Sequence, residues 1–137
     1  MIPGKWTYRS YRNDPALVAG DPSKALGDIF GEGVLNLASP DGKAIKGTFD
    51  MGGGYVLDLT GSAANAPNGA TAVRMAGLGR PGTPTDGWEY DYAGLTAYAW
   101  PSGVDQVPAI VGTVIRAKPH GGGPAGVTAS FVAVRQP

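Results

Sequence analysis

The sequence predicts an all-β protein, an eight-stranded antiparallel up-and-down β-barrel with one short helix between strands 1 and 2. Eight short segments rich in β-branched and aromatic residues follow one another along the chain. The connections between most of them are of hairpin length, which favours an antiparallel sheet because parallel strands need long crossovers. Closing the sheet into a barrel removes both edges. Strand count alone leaves a two-sheet sandwich open.

Composition and length limit the class of protein. The 137 residues favour a single domain spanning 1–137, and the formal net charge of zero argues against a nucleic-acid partner. The 23 glycines and 12 prolines lie between apolar runs, so they indicate turns. The absence of cysteine excludes disulfides and cysteine nucleophiles. His120 is the only histidine, so we expect no metal site and no cofactor.

The chain carries no visible targeting segment. Its N-terminus lacks a charged stretch followed by an apolar one, the pattern of a signal peptide. No apolar run approaches the roughly 20 residues that would span a bilayer. We therefore expect no membrane span and a cytoplasmic location, with secretion left open if a signal peptide has been removed.

The predicted strands are separated by turn-forming residues such as Ser39–Lys43 and Gly52–Gly54. Side chains alternate between the two faces of a strand, so parity separates interior from exterior positions. Carboxylates are costly to bury unpaired, so we expect the aromatic face of the sixth strand to be the inner one. The strands are predicted at Lys5–Tyr11, Gly33–Leu37, Ala44–Asp50, Tyr55–Thr60, Ala70–Leu78, Trp88–Trp100, Ala109–Lys118 and Val127–Arg135.

The segment Asp21–Phe30 has the signals of a short amphipathic helix. Asp21 is a suitable N-cap, Pro22 suits the first helical position, and Gly31 suits the stop. One helical face is apolar, which predicts a lid over an apolar opening. The residues of that face are Ala25, Leu26, Ile29 and Phe30.

The tripeptide Gly4-Lys5-Trp6, at the start of eight meandering strands, resembles the calycin group of barrels, which contains lipocalins, fatty-acid-binding proteins and avidins. Lipocalins carry Gly-x-Trp at this place. The resemblance implies that Trp6 plugs the narrow end of the barrel. It also implies that Arg135, on the last strand, packs over the Trp6 ring in a cation–π contact. The resemblance concerns the fold and implies no particular ligand.

Turns alternate between the two ends of an up-and-down barrel. The glycine-rich turns, the predicted helix and His120 therefore collect at the end away from Trp6, which we interpret as an open mouth. The strand halves nearest the mouth, together with the lid, supply the candidate ligand-binding residues. These are Tyr8, Ser10, Phe30, Phe49, Tyr55, Trp88, Tyr90, Arg116 and His120.

These residues favour a small-molecule binding barrel that holds an apolar or aromatic ligand in its interior, with an anionic group on the ligand left open. An inward Arg116 would need a carboxylate partner or an anionic ligand. The alternatives are core packing for the aromatic residues, a surface position for Arg116 and a solvated loop for His120. A cofactor-independent enzyme of isomerase, cyclase or lyase type also stays open, with no catalytic residue assigned, and so does a solidly packed structural protein.

Strands 7 and 8 are apolar on both faces, so parity does not tell which side faces inward. Two adjacent strands of this kind indicate that the outer face is also covered. The expected cover is a second copy of the chain, which predicts a homodimer through strands 7 and 8.

Overall fold

The computed structural model describes residues 2–96 and 107–137, in which eight strands form one sheet. Two single helical turns, α1 (Pro15–Val18) and a 3₁₀ turn at Pro22–Lys24, lie between the first two strands. A further 3₁₀ turn, Pro67–Gly69, joins the fourth and fifth strands. The strands are β1 (Gly4–Tyr11), β2 (Ile29–Ala38), β3 (Ala44–Asp50), β4 (Val56–Asn65), β5 (Thr71–Gly79), β6 (Glu89–Thr96), β7 (Ala109–Arg116) and β8 (Thr128–Arg135).

The sheet closes on itself. Each strand pairs antiparallel with the next, and β1 also pairs antiparallel with β8. The β1–β8 register runs from Trp6 opposite Arg135 to Tyr11 opposite Ser130. The predicted all-β, eight-stranded up-and-down barrel is therefore confirmed, and the sandwich is excluded.

The predicted strand positions agree with the structure best where tight turns bound them. β3 has the predicted bounds, whereas β4 continues to Asn65 through residues that the sequence assigned to a connection. The described part of the sixth strand ends at Thr96, so the predicted extension to Trp100 lies outside the described residues. Most of the predicted loop 101–108 also lies there.

The predicted lid helix at Asp21–Phe30 is wrong. Asp21 does cap a turn, because its side chain accepts a hydrogen bond from the Ser23 amide at 3.0 Å, but that turn ends at Lys24. Asp28 then binds Arg12 through backbone and side chain, which draws the chain into the sheet. Ile29 and Phe30 belong to β2, and Leu26 is 70% exposed. Local helix signals thus yield to strand pairing.

A β-bulge sets the direction of Phe30. The β1–β2 register shifts so that Ser10 faces Gly31 while the next residue, Tyr11, faces Ile29. Phe30 is the extra residue, and such an insertion reverses the alternation beyond it. Ile29 is consequently exposed, whereas the Phe30 ring packs against the core.

The structure shows which face of β7 and of β8 points into the barrel. Ile110 and Val114 of β7 are buried, and Arg116 follows them on the same face at the mouth. On β8 the buried residues are Ala129, Phe131 and Ala133. The opposite faces carry exposed apolar side chains, among them Val111 at 47% exposure.

The closed end and the middle of the barrel are filled. Trp6 is fully buried, and its indole Nε1 donates to the Ile2 carbonyl at 2.9 Å. In the middle, the Tyr8 ring lies 4.6 Å from Phe49 and 5.4 Å from Phe131, centroid to centroid. Among the described residues, these side chains therefore fill the middle of the barrel below the mouth. Arg135 lies opposite Trp6 with its guanidinium beside Gly4, and its stacking on the indole stays a prediction.

The described residues contain no helix that could cross a membrane.

Candidate functional site

A cavity of about 190 Å³ opens at the mouth of the barrel. Eight of the nine predicted binding residues line it, and the ninth, Tyr55, packs behind Trp88 with the ring centroids 5.7 Å apart. The structure thus brings the predicted set together, while ligand binding by these residues stays a prediction. The cavity is lined by Tyr8, Ser10, Phe30, Gly31, Phe49, Met51, Leu57, Trp88, Tyr90, Tyr92, Val114, Arg116 and His120.

Arg116 lies across the rim of this cavity, opposite Tyr90 in the β6–β7 register. Its Nε donates to the Tyr90 phenol oxygen at 3.2 Å, and its Nη1 donates to the Pro124 carbonyl at 3.3 Å. The guanidinium carbon lies 5.3 Å from the centroid of the Phe30 ring, within cation–π range. Two neutral oxygens and an aromatic face therefore hold the cation in place.

The Arg116 charge has no counterion in the described structure. The five ion pairs found in residues 2–96 and 107–137 use other cations, and none brings a carboxylate within 4.0 Å of Arg116. No aspartate or glutamate lines the mouth cavity either. The rim of the cavity therefore carries a partly buried cation that no described carboxylate balances.

His120 is placed by a tight hairpin turn. The His120 amide donates to the Gly123 carbonyl at 3.2 Å, and the Gly123 amide donates back to His120 at 2.8 Å. Between them, Gly121 and Gly122 have φ of 56° and 78°. Two consecutive positive φ angles are the geometry of a type I′ turn, which glycine adopts without strain. The glycine run therefore shapes a turn that fixes the histidine at the mouth.

The His120 ring contacts two aromatic residues of the cavity wall. It stacks on Trp88, with the ring centroids 3.9 Å apart and the planes 15° apart. Its Nε2 lies 2.5 Å from the phenol oxygen of Tyr90. His120 is thus part of the wall, and the solvated-loop alternative does not describe it.

Trp88 is held by the β5–β6 connection. Its amide donates to the Thr85 carbonyl, and its carbonyl accepts from the Gly79 amide, both at 2.9 Å. Thr85 is fully buried, and its hydroxyl donates to the Val56 carbonyl at 2.8 Å. This buried threonine anchors the loop to β4 and so fixes the ring on which His120 stacks.

A directed hydrogen-bond chain runs along the rim. Burial lowers the pKa of His120, and the nearby positive charge of Arg116 lowers it further. The ring is therefore neutral at pH 7, so its Nε2 can accept the Tyr90 proton. The Tyr90 oxygen in turn accepts from Arg116, which only donates. In the tautomer with the His120 proton on Nδ1, the chain runs from Arg116 through Tyr90 to His120.

The floor of the cavity carries two buried phenols, Tyr8 and Tyr92. Burial raises the pKa of both far above the ordinary tyrosine value, and a hydrogen bond to Ser10 offsets part of the rise at Tyr8. Both phenols are therefore neutral hydrogen-bond donors. Sequence reasoning missed Tyr92, although its alternation with Tyr90 signalled it. It also missed Gly31, Met51, Leu57 and Val114.

The closed end offers a different environment. A depression of about 780 Å³ there contains the charges of Asp41 and Lys43 but no aromatic ring among its described residues. In the described part of the chain, no three His, Asp or Glu side chains gather as metal ligands. At the mouth, by contrast, aromatic rings lie beside the Arg116 cation.

No family model, curated protein or solved structure matches this chain. The closed eight-stranded barrel is compatible with the calycin-like resemblance at the level of fold.

Proposed function

We propose that this protein binds a small aromatic anion, with one ring in the mouth cavity and a carboxylate on Arg116. The observation that carries the proposal is the uncompensated Arg116 guanidinium at the rim of a cavity lined by aromatic rings. This function agrees with the ligand-binding barrels that the Gly4-Lys5-Trp6 motif resembles.

The size of the cavity favours a ligand with a single ring. Its volume is about 190 Å³. An apolar cavity of about 150 Å³ is enough for benzene, whereas drug-sized ligands occupy roughly 300 Å³ or more. A benzoate-sized molecule therefore fits, and a fused polycyclic ligand or a long acyl chain does not.

The polar groups of the rim favour an anion over a cation. Arginine presents two parallel N–H groups that match a carboxylate. Neutral His120 adds no opposing charge, and the lining contains no carboxylate that would repel the ligand. The Phe30 and Tyr90 rings flank the guanidinium, with its carbon 5.3 and 6.0 Å from the two ring centroids, so the cation lies beside apolar surface, where its attraction for an anion is stronger than in open water.

Isothermal titration calorimetry with benzoate and with benzyl alcohol, its neutral counterpart, tests the proposal. Arg116→Gln removes the charge and keeps much of the side chain. Arg74→Gln is the matched control, because Arg74 is exposed on the outer face of β5. A hydrogen bond to a charged group contributes about 1.5–3 kcal/mol, so Arg116→Gln should weaken benzoate roughly tenfold to a hundredfold.

Benzyl alcohol should bind the wild type more weakly than benzoate and should be little affected by Arg116→Gln. Arg74→Gln should leave both affinities unchanged. Absence of benzoate binding to the wild type, or an equal loss in both arginine variants, would refute the proposal.

The hydrogen bond between Tyr90 and His120 favours one catalytic alternative. A phenol and a neutral imidazole in contact beside the Arg116 cation could move a proton to or from the carbon next to the keto group of a bound 2-keto carboxylate. Phenylpyruvate in deuterium oxide tests this: an isomerase would accelerate exchange of its benzylic hydrogens, and Tyr90→Phe would abolish the acceleration. Binding of phenylpyruvate without accelerated exchange would contradict the isomerase and support a binding barrel without catalysis.

We also propose a homodimer through the outer face of strands β7 and β8. Val111 and Ile115 on β7 are 47% and 41% exposed. Val134 on β8 is also exposed. Light scattering should show a dimer that Val111→Glu converts to a monomer, whereas a wild-type monomer at high concentration would refute it.

A further inference from the structure

The phenol of Tyr92 lines the mouth cavity and has no described hydrogen-bond partner. Only 4% of the residue is exposed. Tyr90, its neighbour on the same face of β6, is bound to His120 and Arg116. Within residues 2–96 and 107–137, Tyr92 makes no such bond.

Among the described residues, only Ser39 Oγ is both fully buried and unpaired, so the Tyr92 hydroxyl keeps access to the cavity that it lines. Tyrosine hydroxyls usually find a hydrogen-bond partner, and here a water or a ligand in the cavity can supply it. Around the Tyr92 ring the packing is otherwise complete, with Tyr8 and Phe131 in edge contact at 6.1 and 5.9 Å between centroids. The hydroxyl is therefore the one part of this side chain that the core leaves unused.

We propose that Tyr92 determines ligand specificity by donating a hydrogen bond to an oxygen on the ligand ring, para to the carboxylate. The inference rests on the proposed function, since it assumes that Arg116 holds the carboxylate. The ligand class becomes a para-oxygenated aromatic carboxylate, for which para-hydroxybenzoate is a probe.

The spacing of the two groups supports para substitution. Tyr90 lies opposite Arg116 in the β6–β7 register, and Tyr92 lies opposite Val114, one inward step deeper. Arg116 and Tyr92 thus line the same cavity at different depths. A para-substituted ring carries its two polar groups at opposite ends, so a ligand whose carboxylate is held at the rim directs its para oxygen inward.

The protonation state of the floor favours an oxygen as the second group. Tyr92 stays neutral because burial raises its pKa, and neighbouring Tyr8 is neutral for the same reason. Ser10 already donates to the Gly31 carbonyl at 3.3 Å. The floor therefore presents a phenol O–H that needs an acceptor. A ligand hydroxyl accepts this bond, whereas a methyl group of similar size leaves the phenol unpaired.

Calorimetry with para-hydroxybenzoate and para-methylbenzoate tests the inference in wild type and in Tyr92→Phe. The two ligands differ mainly in hydrogen bonding, so their affinity ratio isolates the contact. Meta-hydroxybenzoate tests the position of the oxygen. Tyr11→Phe is the matched control, because Tyr11 ends β1 and does not line the cavity.

A neutral hydrogen bond contributes about 0.5–1.5 kcal/mol. The preference for para-hydroxybenzoate over para-methylbenzoate should therefore fall about two- to tenfold in Tyr92→Phe and stay unchanged in Tyr11→Phe. Meta-hydroxybenzoate should show no such dependence on Tyr92. Far-ultraviolet circular dichroism of Tyr92→Phe should match that of the wild type, which reports an intact barrel.

Three results would overturn the inference: a preference that persists in Tyr92→Phe, an equal preference for the meta isomer, or no preference in the wild type. If benzoate still binds in an Arg116-dependent way, these results remove the inference and leave the proposed function standing. If no benzoate binds the wild type, both fail together.

Discussion

His120 stacks face to face on Trp88, with the ring centroids 3.9 Å apart. This contact covers one face of the imidazole and directs its Nε2 towards the Tyr90 phenol. The indole itself is fixed by the Thr85 loop. The only histidine of the chain is therefore part of a positioned aromatic wall, and it reports on the charge of Arg116 beside it.

The pKa of His120 should rise when the neighbouring charge is removed. Burial and the Arg116 cation both lower it in the wild type. Arg116→Gln removes the second cause, so the pKa should move towards about 6.5. A bound benzoate, which offsets the same charge, should move it in the same direction. Proton NMR resolves the imidazole signals of a single histidine, and Arg74→Gln serves as control. A lower pKa in the benzoate complex would contradict a carboxylate on Arg116.

The stability of the fold should depend on pH through His120. Its pKa is lower in the folded chain than in the unfolded one, so the unfolded state takes up the proton first as the pH falls. The free energy of unfolding should therefore decrease as the pH drops below about 6.5 and level off below the folded-state pKa. Urea unfolding at several pH values measures this, and His120→Gln should remove that step. If the free energy of unfolding of His120→Gln decreases with falling pH as it does in the wild type, other titrating groups cause the decrease.

Gly123→Ala should weaken anion binding although no charge is lost. A Cβ at this position would lie 2.3 Å from Nη1 of Arg116, so the guanidinium has to move. We expect benzoate affinity to fall severalfold, because a displaced guanidinium loses its paired hydrogen bonds to the carboxylate. Gly20→Ala is the control, since nothing lies within 4 Å of a Cβ there. Equal affinities in both variants would show that the position of Arg116 does not matter for binding.

Phe30→Asp should abolish benzoate binding and leave the barrel folded. The ring lies 5.3 Å from the Arg116 guanidinium carbon, so an aspartate there supplies the missing counterion. The internal carboxylate would then compete with the ligand. Phe30 is only partly buried, which limits the loss of packing. Calorimetry gives the affinity and circular dichroism the fold, with Phe30→Leu as control.

Phe30→Leu should keep at least part of the benzoate affinity, because it leaves the Arg116 charge uncompensated. Outright unfolding of Phe30→Asp would show that this residue is a necessary part of the core. Unaltered benzoate binding by Phe30→Asp would place the anion away from Arg116.

The strand order could be predicted from the sequence because it follows from local signals. Alternation in β6 separated the inner Tyr90 from the outer Asp91, and the tight turns bounded β3. The set of residues at the mouth followed from the alternation of turns between the two barrel ends. Eight of the nine predicted residues consequently line one cavity.

The connection between β1 and β2 could not be predicted in the same way. The conformation of this connection depends on the Arg12–Asp28 contact and on the bulge opposite Ser10. Both are tertiary features without a local sequence signature. The inward direction of Arg116 was ambiguous for a related reason, because both faces of β7 are apolar. The extent of the cavity depends on how Tyr8 and Phe131 fill the middle, which alternation alone does not determine.

A crystal structure of the protein soaked with benzoate tests the central claim most directly. The account predicts the ring inside the mouth cavity, with both carboxylate oxygens about 2.7–2.9 Å from guanidinium nitrogens of Arg116. Benzoate bound on the outer surface, or a mouth cavity that stays without ligand at saturating benzoate, would contradict it.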